Sequence, residues 1–366
     1  MSEQVVDRIK DAIADHGPIT FAEFMEHALY GPGGFYERPP VGAEGHFVTS
    51  PHVHPVFAEL LLRAVRDLWE GLGRPEPLAV VEPGAGDGTL ALDMLRLATE
   101  LGPRLVYTAV ERSPGARDAL ASLPVRVAER LEELEPLDPG VLLANELLDN
   151  LPFRRVRMTA HGPVEVRVDA DPNGLVQTEV PCDHDLASRM PPLDAGGEAA
   201  VPEAALSFVD EVARVLRQGY ALLIDYGSVG GSAGQIHGYR KHRVVEDVLA
   251  RPGSADVTAG VDLAAVAARA RAGGLEVAGA VAQADALRAL GFERWGALQR
   301  DRQAESTAAG ARSDAVRIWE GRSRASLLVD PAALGRLRWL LLATPGLPAP
   351  TWVREAFAVD ALPSSD

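Results

Sequence analysis

The feature that most constrains this chain is an apolar run that ends in closely spaced glycines, Val80-Val81-Glu82-Pro83-Gly84-Ala85-Gly86-Asp87-Gly88-Thr89. A short, continuously apolar stretch bounded by turn residues reads as a buried strand. Glycines spaced G-x-G-x-G behind it let the backbone turn tightly into a helix and expose main-chain N–H groups that a Cβ would screen from a ligand. A dinucleotide fingerprint would want its third glycine where Thr89 stands, yet here it falls one place earlier, at Gly88. Glu82, just ahead of the first glycine, suits a cation better than a pyrophosphate.

The pattern around that loop predicts the fold class. Segments 78–81, 105–110, 125–128, 141–144 and 220–224 are β-rich or continuously apolar and of strand length, and stretches with helical spacing such as 90–101 separate the first four. A β-α-β-α-β-α-β rhythm implies a parallel sheet covered on both faces, and right-handed crossovers make it a doubly wound α/β, Rossmann-like sheet. Residues 154–200 break the rhythm: Val164, Val166 and Val168 alternate with polar residues before a proline- and glycine-bearing stretch, which reads as an antiparallel insertion and a loop. A helix over about 202–216 follows. Ahead of the sheet, residues 1–30 read as two short helices broken at Gly17-Pro18, and Tyr30-Gly31-Pro32-Gly33-Gly34-Phe35-Tyr36 as an aromatic loop of the kind that serves as a lid. Another helix spans about 55–72. Beyond Ser228 come a Gly/Ser loop, an amphipathic helix near 261–272, and an apolar run at 337–342 that reads as a buried helix. The expected organisation is an N-terminal helical lid and substrate loop over 1–75, a Rossmann-like ligand-binding domain over 76–230 with its insertion at 154–200, and a C-terminal substrate or cap region over 231–366.

Composition narrows the partners. With 36 basic and 52 acidic residues the formal charge is −16, so phosphate backbones and anionic lipid headgroups are repelled and neither nucleic acid nor membrane is an expected partner. Arg240-Lys241-His242-Arg243 is the longest basic run, and no stretch approaches the ~20 apolar residues that cross a bilayer. Cys182 is the only cysteine, which excludes an intramolecular disulfide or a thiolate cluster and fits a reducing compartment. The first twenty residues carry charges and no apolar core, so no signal peptide is read and the expected address is cytoplasmic.

Glu111 stands at the end of the second strand, where an acid can take both hydroxyls of a ribose. Glu82 and Glu111 together describe a pocket for a positively charged nucleoside without phosphates, the profile of S-adenosylmethionine. The fourth strand ends in Asn145-Glu146-Leu147-Leu148-Asp149-Asn150, and ligands of doubly wound sheets sit at the strands' carboxyl ends. Asn145, Glu146 and Asp149 should therefore face the reacting end of the cofactor. There they could accept hydrogen bonds from a nucleophilic nitrogen or hold a guanidinium, unless Asn145 or Asp149 merely caps the next helix. His46, His52 and His54 form a cluster, the last two with the alternate spacing of one strand face; with no third acid or thiol nearby they read as loop histidines or a general base, and no metal is expected.

At this point the sequence resembles the MidA family of class I S-adenosylmethionine-dependent methyltransferases, a family with a mitochondrial arginine methyltransferase that assists respiratory complex I assembly. The resemblance runs from about residue 19 to about 291. It is carried by Ile19-Thr20-Phe21-Ala22-Glu23-Phe24-Met25, Gly45-His46-Phe47-Val48-Thr49-Ser50-Pro51, the glycine loop, Glu111-Arg112-Ser113-Pro114, Asn145-Glu146-Leu147-Leu148-Asp149-Asn150-Leu151-Pro152, Asp225-Tyr226-Gly227 and Asp256-Val257-Thr258-Ala259-Gly260-Val261-Asp262, in the family's order. It implies cofactor contacts at Gly84, Gly86, Gly88 and Glu111, and a substrate side built from Thr49, Ser50 and Pro51 with Asn145, Glu146 and Asp149. The chain departs from the family where His46 and His52 replace acids and His54 a small polar residue. The expected chemistry is in-line methyl transfer with Asn145 and Glu146 orienting the acceptor. That acceptor is a protein arginine by resemblance, or a small metabolite methylated on O or N if the histidines redirect the loop; the third alternative is a cofactor-binding assembly factor without turnover.

Overall fold

The computed structural model describes residues 2–37, 49–228, 236–240 and 243–356. Its centre is a seven-stranded sheet of β1 (Leu78–Pro83), β2 (Leu105–Val110), β3 (Arg126–Ala128), β4 (Gly140–Asn145), β5 (Gly219–Asp225), β6 (Glu276–Ala282) and β7 (Arg338–Ala343), in the order β6-β7-β5-β4-β1-β2-β3. β1 to β5 pair in parallel, whereas β7 runs antiparallel to both of its neighbours. The order reverses between β1 and β4, and this switch point opens the crevice in which such sheets bind ligands.

Alternation along each strand feeds two separate cores. Val80, Val141, Leu143, Leu222, Trp339 and Leu341 pack on one face with the helices Val56–Gly71 and Thr89–Leu101. Val81, Leu142, Leu223, Leu340 and Leu342 pack on the other with the helices Glu203–Val215 and Leu263–Ala272. Each fully buried Leu or Val contributes roughly 1.5–3 kcal/mol, so a strand buried on both faces anchors itself.

The five strands read from the sequence are all present, but the organisation after residue 231 differs from the expected cap. That region supplies β6 and β7 to the central sheet, and the run at 337–342 is strand, not helix. From Trp339 to Ala343 its residues are all apolar because both faces are covered, so they carry neither a helical nor an alternating period. The helix Val56–Gly71, grouped with the lid, likewise belongs to the sheet's core.

The insertion forms a four-stranded antiparallel sheet, ordered Gly174–Pro181, Gly162–Asp171, Arg154–Thr159, Glu198–Val201. The N-terminal helices dock on it. Ile19 and Val168 exchange both backbone hydrogen bonds at 2.9 Å, and Val5, Ile9, Phe21, Phe24 and Leu29 share a core with Phe153 and Val168. The helix Phe21–Met25 starts at a capping box in which Glu23 N–H donates to Thr20 Oγ1 at 3.1 Å and Thr20 N–H to Glu23 Oε2 at 2.7 Å. Among the described residues no helix is long and apolar enough to cross a membrane.

Candidate active site

A cavity of about 750 Å³ opens over the carboxyl ends of β1, β2 and β4, within the ~300–1,000 Å³ that small-ligand sites occupy. Its floor is the glycine loop, where Gly84, Gly86 and Gly88 have φ of 71°, 56° and 80°. A Cβ on Gly88 would lie 2.4 Å from Leu123 and one on Gly84 2.9 Å from Leu147, so these two pack against the protein. Gly86 is different. A Cβ there meets nothing within 4 Å and would project into open space, which leaves room for a ligand to lie against its main chain.

The two acids read from the sequence flank that loop. Glu111 accepts from Gly86 N–H at 2.9 Å and from Ser113 N–H at 2.8 Å, which fixes its carboxylate at the end of β2; burial nonetheless raises its pKa. Glu82 is 3% exposed and accepts from the Tyr107 hydroxyl at 2.8 Å. Burial pushes its carboxyl up to about 8, and a cationic ligand group placed against it would pull it back down.

Opposite stand the residues at the end of β4 and the loop around Thr49. Glu146 holds φ at 52°, a strained value for a non-glycine residue, because its N–H donates to Ile224 O at 2.7 Å as the chain leaves β4. Its Oε1 accepts from Ser50 N–H at 2.9 Å and from Asn145 Nδ2 at 3.3 Å. Burial pushes this carboxyl up to about 7. With Nδ2 committed to Glu146, Asn145 Oδ1 is buried with no hydrogen-bond partner among the described residues. Thr49, Pro51 and His52 line the cavity; Ser50 is fully buried behind them, its hydroxyl 3.4 Å from Gln283 Oε1. Gln283 accepts from Trp339 Nε1 at 3.1 Å, so the loop is tied to β7.

Two expectations change. Asp149 does not face the cavity; it is 8% exposed beneath the loop, against Asp225, which accepts from Leu147 N–H at 3.0 Å and Leu148 N–H at 2.6 Å. Burial, reinforced by Asp225 and Asp256, holds the Asp149 carboxyl well above its ordinary range. His52 and His54 do not share a strand face, because Ser50–Val53 is a helical turn that sends their rings apart. His52 Nδ1 meets Thr49 Oγ1 at 2.9 Å and its Nε2 meets Asp87 Oδ2 at 3.0 Å, whereas His54 packs edge-on against Trp295, 5.1 Å between ring centroids. His46 lies outside the described residues.

The aromatic loop does lie on the cavity, with anchors the sequence did not disclose. Tyr30 and Tyr36 stack at 5.4 Å, and Arg112 sits 4.1 Å over the Tyr30 ring while pairing with Glu26 at 2.8 Å. Tyr30 donates to Asn150 O at 2.9 Å and Tyr36 to Asp256 Oδ1 at 2.8 Å. Asp87, Arg112 and Asp256 were missed because each finds its partner through long-range contacts; only Asp87's place between two of the glycines hinted at a role.

The cradle at Gly86, the acid at Glu111 and the volume fit S-adenosylmethionine, and comparison with known proteins agrees. Residues 60–281 match the model of the S-adenosyl-L-methionine-dependent methyltransferase family Methyltransf_28. The chain is 31% identical over 319 residues to the bovine (Bos taurus) mitochondrial protein arginine methyltransferase NDUFAF7, covering 77% of this chain and 72% of that one. It is 29% identical to the Drosophila melanogaster homolog of that protein, covering 93% and 84%. A crystal structure from Burkholderia thailandensis bound to S-adenosylhomocysteine superposes with a TM-score of 0.82 at 28% identity, over 96% of this chain and 94% of the other. A sheet with this strand order, a glycine floor open to a nucleoside and a half-buried Asn-Glu pair beside it thus sit on a chain that belongs to the MidA family of S-adenosylmethionine-dependent methyltransferases.

Proposed function

We propose that the methyl acceptor is an arginine side chain of a protein. The Glu146 carboxylate supports this reading: Asn145 and Glu146 line one cavity, with Asn145 Oδ1 left without a partner among the described residues, and a guanidinium offers only donors. Relatives of this chain carry the name protein arginine methyltransferase, which points the same way. The cofactor supplies an electrophilic methyl on a sulfonium. Glu146 and Asn145 then align one guanidinium nitrogen for in-line attack, and the Tyr30–Tyr36 lid keeps water from the reacting atoms. Methyl transfer to a guanidinium must release one proton, since two positive charges on one methylated group would otherwise result.

The single cysteine supports a cytoplasmic, reducing site of action, although the relatives' names place those proteins in mitochondria; fractionation of the source cells decides it. For the acceptor, the protein is incubated with S-[methyl-tritiated]adenosylmethionine and a lysate of cells lacking it, and the labelled protein is hydrolysed. Labelled methylarginine is expected. Label confined to the small-molecule fraction would assign a metabolite acceptor, and cofactor binding without any label would assign an assembly role.

A further inference from the structure

We infer that Thr49, His52 and Asp87 form a proton relay that carries the acceptor's proton out of the cavity during methyl transfer. The inference rests on methyl transfer at this site and deepens it, without requiring that the acceptor be arginine.

The three side chains form one line. Asp87 Oδ2 is 3.0 Å from His52 Nε2, and His52 Nδ1 is 2.9 Å from Thr49 Oγ1. All three residues line the cavity. Although burial raises it, Asp87 is held below its ordinary carboxylate range by His52 and by the Thr89 N–H, which donates to Oδ1 at 3.0 Å. An ionised carboxylate only accepts, so Nε2 must carry a hydrogen. In the neutral ring Nδ1 is then the bare nitrogen, and the Thr49 hydroxyl must donate to it. Thr49 is the residue before the helical turn Ser50–Val53, yet its hydroxyl makes no capping bond there and is given over to His52. This arrangement of acid, imidazole and hydroxyl is the one that makes a hydroxyl accept a proton on one side while giving its own on the other.

The hydroxyl is also in the right place. The next residue's N–H is bound to Glu146, so Thr49 stands beside the carboxylate that orients the acceptor. As the C–N bond forms and the sulfonium C–S bond breaks, the acceptor nitrogen gives its proton to Thr49 Oγ1, and Thr49 gives its own to His52 Nδ1. The imidazolium that results is stabilised by Asp87. His52 is 14% exposed and Asp87 31%, so the charge moves toward solvent, where the proton leaves and the neutral ring is restored.

The test measures turnover and cofactor affinity separately, on whichever acceptor takes label. Thr49→Val should lower kcat about 100-fold, the scale of a lost proton-transfer group, with S-adenosylmethionine affinity unchanged, and Thr49→Ser should recover most of it. His52→Ala should fall by a similar factor and be rescued by added imidazole, which a merely structural role would not permit. Nitrogen-15 NMR of the neutral His52 ring should show Nδ1 bare and Nε2 protonated. Near wild-type turnover in Thr49→Val, a loss in His52→Ala that imidazole leaves untouched, or a proton on Nδ1 would each overturn the relay. Label on an acceptor other than arginine would sink only the arginine assignment; a wild-type protein that transfers no methyl group at all would sink the relay as well.

Discussion

The two ends of the cavity are built on opposite terms. At the glycine-loop end Glu111 is locked by two backbone N–H groups and Glu82 is held by the Tyr107 hydroxyl, so both carboxyls are positioned before a ligand arrives. At the other end Asn145 Oδ1 has no partner among the described residues, and Glu146 is backbone-strained. A preorganised end lowers the cost of binding; an under-satisfied one favours only a ligand that brings the missing donors. On the function proposed above, the first end sets cofactor affinity and the second sets which molecule is methylated.

The contrast can be broken most severely at its floor. Gly86→Val puts a branched side chain at φ 56° into the ligand's space, and should weaken S-adenosylmethionine binding by at least about 1,000-fold in a calorimetric titration, the order of 4 kcal/mol. Glu146→Gln should do the reverse, leaving cofactor affinity within about threefold while kcat/KM for an arginine peptide falls about 100-fold, since a buried charge partner is worth several kcal/mol. Equal losses in both readouts would erase the distinction between the ends.

Acidity sharpens the comparison further. Burial raises the Glu146 pKa, so its pairing form is present above about 7 and is lost as pH falls through that value; kcat/KM should drop about tenfold per pH unit below it, and the fall should vanish in Glu146→Gln. Tyr30→Phe removes one hydrogen bond to Asn150 O from the lid that spans both ends, and should speed cofactor dissociation only about fivefold, equivalent to about 1 kcal/mol, in stopped-flow displacement. The smallest effect belongs to Asp256, which burial also raises to about 7. A carboxyl raised in the folded state costs stability as pH rises from its unfolded value toward 7. Asp256→Asn should therefore melt a few degrees above the wild type at pH 8 and with it below about pH 4, by calorimetry.

How much of this was legible follows from the range over which each signal acts. The strand, the glycines and Glu111 were readable because tight turns and strand ends are local, and Asn145-Glu146 because the fold puts every strand's end at the same crevice. β7 was misread as a helix because burial on both faces removes the period on which such readings depend. Asp149 was misplaced because three residues of loop decide whether a carboxylate faces the cavity or Asp225. The pairing of His52 with Asp87 spans 35 positions, and no local pattern announces it.

One of those long-range ties joins distant stretches of the sequence. β7 enters not at the rim of the sheet but between β5 and β6, and Trp339 on it holds Gln283, which stands 3.4 Å from the hydroxyl of Ser50. The glycine loop and its two acids lie within residues 82–111, yet the loop that presents Thr49 beside Glu146 is braced through Gln283 by a strand at 338–343. The two sides of the cavity thus draw on different lengths of the polypeptide, and only the Thr49 loop leans on that distant strand.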